Sequence, residues 1–262
     1  MIIISGKIVP PNLINGLYPS NSIKGEMVNK LSSSEEKYYY DSIEQLKFEM
    51  DLRKNIINAS IDLYKSKVTF RTFRKSKCNT DYWKRTEEGG FILKEGIRPA
   101  RGIKDIFING REYGTECATA IIIVYYKAIL DIFREELFNE VFTRIHLMNW
   151  SYLDRNLGIT YYRDVKDYLP GDCRYFKNPD VSPKTPEWQG ENAIDLSSGR
   201  YYGHGIGIKS AEDIIKTLNR YRRKDSDTSA YLLNSVTNLS YKNLSNIYLR
   251  FVSNFQISKR LI

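Results

Sequence analysis

Histidine and cysteine are scarce in this chain. Two histidines, His146 and His204, and three cysteines, Cys78, Cys117 and Cys173, stand in 262 residues. The cysteines are far apart and form no Cys-x-x-Cys pair. An odd number so spaced does not make a disulfide framework. With two histidines no zinc-ligand pattern can be read either, so neither metal nor cofactor is expected. The start, Met-Ile-Ile-Ile-Ser-Gly-Lys, lacks the basic region and long apolar core of a signal peptide. The most apolar run, Ala118 to Phe133, is interrupted by Lys127 and Asp131 and is too short to cross a bilayer. Basic clusters at Arg71 to Lys77 and Arg220 to Lys224 carry no RNA-binding or zinc-finger signature, so no nucleic-acid partner is expected. No internal repeat and no linker between two cores is visible. These absences describe a protein used inside a cell, or deposited without a secretion signal.

What is present is a chain able to fold. It is 42% hydrophobic and 13% aromatic, which excludes wholesale disorder, and it is long enough to bury a substantial core. The net charge is +9, from 40 Lys+Arg against 31 Asp+Glu, which suits a polyanionic surface or acidic protein partners.

Along the chain, residues 2 to 9 read as a strand stopped by Pro10-Pro11. Residues 10 to 40 are rich in Asn, Ser, Gly and Pro and read as an irregular arm. Ser42-Ile43-Glu44-Gln45 is a capping-box pattern that opens a helix to about Lys65. A hairpin is expected around Glu88-Gly89-Gly90. A short helix follows Pro99. The next helix starts at Cys117 and extends to about Arg134, with a shorter one near 138 to 144. Residues 145 to 150 alternate like a strand, and 151 to 168 read as a long loop. Strands are expected at Cys173 to Phe176, Glu191 to Leu196 and Arg200 to Tyr202. A helix capped by Ser210 runs to Arg223, and the tail from Asp225 is polar, with a weak helical pattern near Leu244 to Val252 and a divergent end from about residue 240. The fold class is α+β: helices packed on an antiparallel sheet, in a single domain over 1–262.

Three residues compete as nucleophile. Cys117 follows Gly114, Thr115 and Glu116 at a helix start, where unpaired N–H groups and the helix dipole favour a thiolate. A buried structural cysteine on a core helix fits the spacing equally well. Cys78 sits in a basic segment but opens no helix, and Cys173 lies inside a strand. A base would have to come from the later strands, and Glu191 and His204 are the candidates. Glu191 could instead be a solvated strand end, and His204 a histidine satisfied in a turn. Trp150 and Trp188 bracket the strand region and could equally pack the core or wall a site off from water.

Four motifs together are specific: Tyr-Gly-Thr-Glu-Cys-Ala-Thr-Ala (113 to 120), Gly-Asp-Cys-Arg-Tyr-Phe-Lys-Asn-Pro (171 to 179), Trp-Gln-Gly-Glu-Asn (188 to 192) and Tyr-Gly-His-Gly-Ile-Gly (202 to 207). In that order they resemble the Bacillus-type protein-glutamine γ-glutamyltransferases, the spore-coat transglutaminases. The resemblance runs from the first residues to about Leu233. It implies a papain-like core akin to the NlpC/P60 peptidases, of which Leu-Pro-Gly-Asp before a Tyr-Phe strand is the one echo here. It implies a calcium-independent, cofactor-free enzyme, made in the mother-cell cytoplasm and acting in the spore coat. Its partners would be coat proteins, supplying both glutamine and lysine, and it would work as a monomer. By the same resemblance the nucleophile maps onto Cys117 and the acid/base onto Glu191. Glu116 matches an assisting glutamate whose charge opposes thiolate formation at Cys117, so nucleophile and carboxylates form one coupled titrating set, and His204 matches a histidine near the site. Phe70, Trp150 and Trp188 match an aromatic substrate passage.

The chemistry so implied is attack of Cys117 on a glutamine γ-carboxamide, loss of ammonia, and capture of the thioester by a lysine. Backbone N–H groups at the helix start would hold the oxyanion. Glu191 would need a raised pKa to act as an acid near neutrality. The rival reading is a thiol amidase or peptidase of the same fold acting on cell-wall peptide, which would normally use histidine as base.

Overall fold

The computed structural model describes residues 1–260. Ile2–Ile4 (β1) and Lys7–Ile8 (β2) form a hairpin about Ser5 and Gly6, both with positive φ, so the single strand expected over 2 to 9 is doubled back. The region 10–40 is not an irregular arm. It holds a turn of helix, Pro11–Ile14 (α1), a longer helix, Ile23–Ser33 (α2), and a strand, Tyr38–Tyr40 (β3), parallel to β1. Ser22 caps α2 by accepting the Gly25 N–H. Met27, Val28 and Leu31 are buried in one cluster with Leu46, Met50 and Ile57 of the next helix. Polar residues dilute this short apolar face, and composition alone therefore reads as loop.

That next helix, Ile43–Ser66 (α3), begins at the expected cap. Ser42 Oγ accepts the Gln45 N–H at 3.2 Å, and Gln45 Oε1 accepts the Asp41 N–H at 2.8 Å. One side of α3 faces the N-terminal cluster, while Phe48, Leu52, Ile56, Ala59 and Leu63 enter the main core. A short strand, Thr69–Phe70 (β4), leads to the expected hairpin of Trp83–Arg85 (β5) and Phe91–Leu93 (β6), then to Pro99–Ile108 (α4). Gly114–Thr115 (β7) pairs in parallel with β4, setting Phe70 opposite Thr115.

Cys117–Val141 (α5) is the central helix. Ile121, Ile122 and Ile123 are fully buried; each such side chain contributes about 1.5–3 kcal/mol relative to exposure. The helix breaks at Arg134 (φ 61°, ψ 175°), close to the expected end. His146–Leu147 (β8) is shorter than the strand expected over 145 to 150, because Asn149 turns the chain at φ 36°. Residues 151 to 168 are not a plain loop. They contain a 3-10 turn, Arg155–Leu157, and a strand, Thr160–Arg163 (β9). All four β9 residues are exposed, so no burial alternation marks the strand in sequence.

The main sheet is completed by Cys173–Lys177 (β10), Gly190–Asp195 (β11), Arg200–Gly203 (β12) and Gly207–Ser210 (β13). Beyond the capped helix Ala211–Asn219 (α6) come Tyr231–Leu232 (β14) and Ser235–Asn238 (β15). Its order is β13-β12-β11-β10-β15-β9, with β14 also on β10, and every pairing is antiparallel. β13 emerges from the Gly-His-Gly-Ile-Gly segment, which sequence reads only as a strand end. The helix capped by Ser210 stops at Asn219, short of Arg223. Tyr221 leaves it and stacks on Trp188, ring centroids 4.3 Å apart. The polar tail forms a helix, Tyr241–Arg260 (α7), whose Tyr248 stacks on Phe133. Positions 261 and 262 of the expected tail lie outside the described residues.

Helices α3 and α5 therefore lie against an antiparallel sheet, as the element pattern predicts. The sheet is keyed to α3 by a buried ion pair. Arg53 donates to Asp172 at 2.7 Å and to Glu49 at 2.8 Å, and its guanidinium lies over the Tyr241 ring. Asp172 also accepts from the Leu169 N–H and from Asn238 Nδ2. Satisfying the carboxylate this fully offsets the desolvation of both charges. It fixes the Leu-Pro-Gly-Asp turn, and so the start of β10. Among the described residues, no helix is long and apolar enough to cross a membrane.

Candidate active site

Cys117 opens α5 on the wall of a cleft of about 1270 Å³. The cleft is also lined by Phe70, Arg74, Glu116, Trp150, Tyr175 and Asn192, among others. The other two cysteines are elsewhere. Cys173 is buried on β10, and half-buried Cys78 points its Sγ at the Trp83 carbonyl, 3.9 Å away.

The helix start differs from expectation in one consequential way. Its cap is the carboxylate of Glu116, the residue beside the nucleophile. The Glu116 carboxylate accepts the Ala118 and Thr119 N–H groups, each at 2.6 Å. Two of the N–H groups at the helix start are thus spent on a carboxylate. The positive end of the helix dipole is offset by the same charge. Burial first, then the charges of Glu191 and Glu116, push the Cys117 thiol well above its ordinary range. Two donors oppose this, the Asn192 side-chain amide, 3.6 Å from Sγ, and the Asn192 backbone N–H.

Glu191 is not a solvated strand end. It is 1% exposed, and its Oε1 has no hydrogen-bond partner among the described residues. Burial first, and the Glu116 charge second, push its carboxyl well above the carboxylate range. The His204 backbone N–H pulls weakly the other way. Gly203, across from Ala193 on β12, lets the carboxyl lie close. A Cβ there would stand 2.9 Å from Glu191 Cγ and 3.0 Å from Oε1.

His204 reaches the site through its backbone, not its ring. Nε2 donates to the Thr69 carbonyl at 3.3 Å, which leaves Nδ1 to accept from the Tyr202 hydroxyl at 2.9 Å. Burial lowers its pKa to about 4. With both ring nitrogens engaged, the ring ties the end of β12 to β4. It faces a second cleft of about 640 Å³ on the far side of Phe70, with Lys65, Lys67 and Lys209.

The three expected aromatics divide. Phe70 and Trp150 line the cleft. Trp188 does not: it packs on Phe70 at 5.4 Å and stacks on Tyr221, backing the wall. Trp150 is carried on a tight turn pinned to the nucleophile helix, where the Asn149 N–H donates to Thr119 Oγ1 at 2.8 Å. Thr119 therefore joins the Glu116 cap to the Trp150 turn. Sequence reasoning missed Thr119, Asn192 and Tyr175. Asn192 adjoins Glu191 in the Trp-Gln-Gly-Glu-Asn motif. Tyr175 stands opposite it in register on β10, and burial and the neighbouring Cys117 and Glu191 raise its hydroxyl pKa to about 12. Among the described residues, no three His, Cys, Asp or Glu side chains group as metal ligands.

A family model described as protein-glutamine gamma-glutamyltransferase matches residues 1–248. The protein of that name from Bacillus mycoides (strain KBAB4) is 43% identical over 245 residues, covering 94% of this chain and 88% of the relative. The one from Bacillus cereus (strain B4264) matches equally. A solved structure of the transglutaminase from Geobacillus stearothermophilus, without its C-terminal extension, is 48% identical with a TM-score of 0.75. It spans 79% of this chain and 98% of that one.

Proposed function

The chain belongs to the protein-glutamine gamma-glutamyltransferase family and is a transglutaminase acting on proteins; from that premise we propose that Cys117 and Glu191 form its catalytic pair. The observation carrying this reading is a buried carboxyl and a cleft-lining thiol each shifted upward, the thiol partly by the carboxyl's own charge. Such a pair titrates as a unit. With both groups protonated it is idle. After one proton is lost, thiol with carboxylate exchanges with thiolate with carboxylic acid, and the second form is the reactive one. The thiolate attacks the γ-carbonyl of a substrate glutamine, and Glu191 gives its proton to the departing ammonia. A lysine amine then loses a proton to Glu191 and captures the thioester. Asn192 steadies the thiolate, and the Cys117 N–H, free of the Glu116 cap, faces the oxyanion. Phe70 and Trp150 hold the aliphatic stems and exclude water.

In this proposal Glu116 acts through its charge and its cap rather than as a second base. Because that charge raises both members of the pair, Glu116→Gln should move the whole pH profile of kcat/KM toward acid by about one unit. Its amide oxygen can still accept one N–H of the helix start. An unmoved profile would remove Glu116 from the electrostatics; loss of activity at every pH would restore it as a base.

The resemblance supports finer readings. These are a papain-like core in one domain over 1–262, spore-coat proteins as both substrates, action in the mother-cell cytoplasm and coat as a monomer, and independence from calcium. Transfer itself is tested by incubating the protein with a glutamine peptide and a fluorescent amine. Covalent incorporation is expected; release of glutamate without incorporation would make the enzyme a hydrolase.

A further inference from the structure

Twenty-two lysines and three glutamines stand in the sequence. That imbalance bears on what the enzyme does to itself. A transglutaminase needs an acyl donor whose γ-carboxamide can be carried down to the thiol. A glutamine side chain is short, so its backbone must come to the mouth of the cleft, which extended or loosely held segments do most readily. All three glutamines lie on helically wound backbone. Gln45 is in the first turn of α3, 3% exposed, with its Oε1 on the Asp41 N–H. Gln189 is exposed on the rim of its own cleft, but its backbone closes the 3-10 turn Pro186–Trp188 with helical φ/ψ and is held there, its N–H on Pro186 and its carbonyl on the Asn178 N–H. Gln256 lies within α7.

Lysines are placed in the opposite way. Their stems are longer, and several stand on turns and sheet edges. Lys7 is on the edge strand β2, Lys37 in the link before β3, Lys184 in the loop before β11, and Lys224 in the loop after α6. All four are exposed, and none makes an ion pair among the described residues.

Resting on the transferase reading above, we infer that the enzyme is itself a one-way substrate: an acyl acceptor through its exposed lysines, and not an acyl donor. Cys117 of one copy, carrying the γ-glutamyl group of a substrate protein as a thioester, is attacked by a lysine Nζ of another copy. The C–S bond breaks with the sulfur leaving as thiolate, a C–N bond forms, and the amine's proton passes to Glu191; the ammonia left earlier, in acylation. Each copy is thereby tied into the network it builds, while enzyme alone cannot polymerise.

The test mixes wild-type enzyme with a tagged Cys117→Ala copy that can only receive. One tube holds a fluorescein-labelled glutamine peptide, the other a fluorescent amine, each with unfolded casein as control. The inference expects peptide label on lysines of the tagged copy, no amine label on it, and no multimers from enzyme alone. Replacing Lys7, Lys37, Lys184 and Lys224 together by arginine should remove most of the peptide label while casein labelling continues at the wild-type rate. Amine attached to Gln45, Gln189 or Gln256, no peptide on lysines while casein is labelled, or label undiminished in the arginine variant would each overturn it. Unlabelled casein would instead indict the transferase reading.

Discussion

Cys117→Ala is expected to reduce acyl transfer by about 10⁴-fold or more, to the background of the uncatalysed reaction. The measurement is incorporation of a fluorescent amine into a glutamine peptide. The reason for so large an effect is that no other thiol can take over. Cys173 is 2% exposed in the middle of the sheet, and burial together with Asp172 and Glu191 drives its pKa far upward. Cys78 is pushed up to about 11 by burial, and nearby Arg85 and Lys94 only partly offset this. Neither lines the cleft. The variant should fold, since the sulfur's only hydrogen-bond partner among the described residues is Asn192. Activity within tenfold of wild type, in a sample whose melting temperature is unchanged, would mean that the covalent step runs through another residue.

Sequence reading reached some parts of this site and not others, and the difference is physical. Cys117 at a helix start and the cap at Ser42 are local features, written in a few consecutive residues, and both stand where they are expected. The antiparallel strands β10, β11 and β12 were legible because their turns are punctuated by Gly, Pro, Asn and Asp. The helix α2 was not, because its apolar stripe is short and its surroundings look like loop. The ionisation of Cys117 is only partly legible, for a different reason. Whether a helix start favours a thiolate depends on which group takes its N–H donors, and Glu116 takes two of them through a side chain that sequence cannot orient. The surroundings of the His204 ring are not legible in sequence. Only the carbonyl of Thr69, distant in sequence, and the hydroxyl of Tyr202, two residues back on β12, reveal that its ring is already engaged. Asn192 needed the register of β11 against β10 and α5, since its neighbour Glu191 drew all the chemical attention.

Glu191→Gln separates acid/base chemistry from mere occupancy of the site, because its effects on two reactions have opposite signs. The glutamine keeps the shape and can still accept the His204 N–H, but it has no proton to give ammonia or to take from lysine. Transfer should fall about 10²- to 10³-fold. The same change removes one of the charges that hold the Cys117 thiol up. The thiolate fraction at neutral pH should rise, and alkylation by iodoacetamide should become faster than in the wild type. A structural lesion would slow both reactions, and a base located at Glu116 or His204 would leave transfer intact. Stability adds a third sign. Since the native carboxyl holds its proton to a higher pH than in the unfolded chain, native protein binds more protons in that window and loses stability as pH rises through it. The variant, with nothing to titrate there, should gain melting temperature relative to wild type at pH 7 and above and gain little near pH 4. A gain present at neutral and higher pH and absent in acid, with slower transfer and faster alkylation, is the signature of a carboxyl kept buried for its chemistry at the expense of the fold.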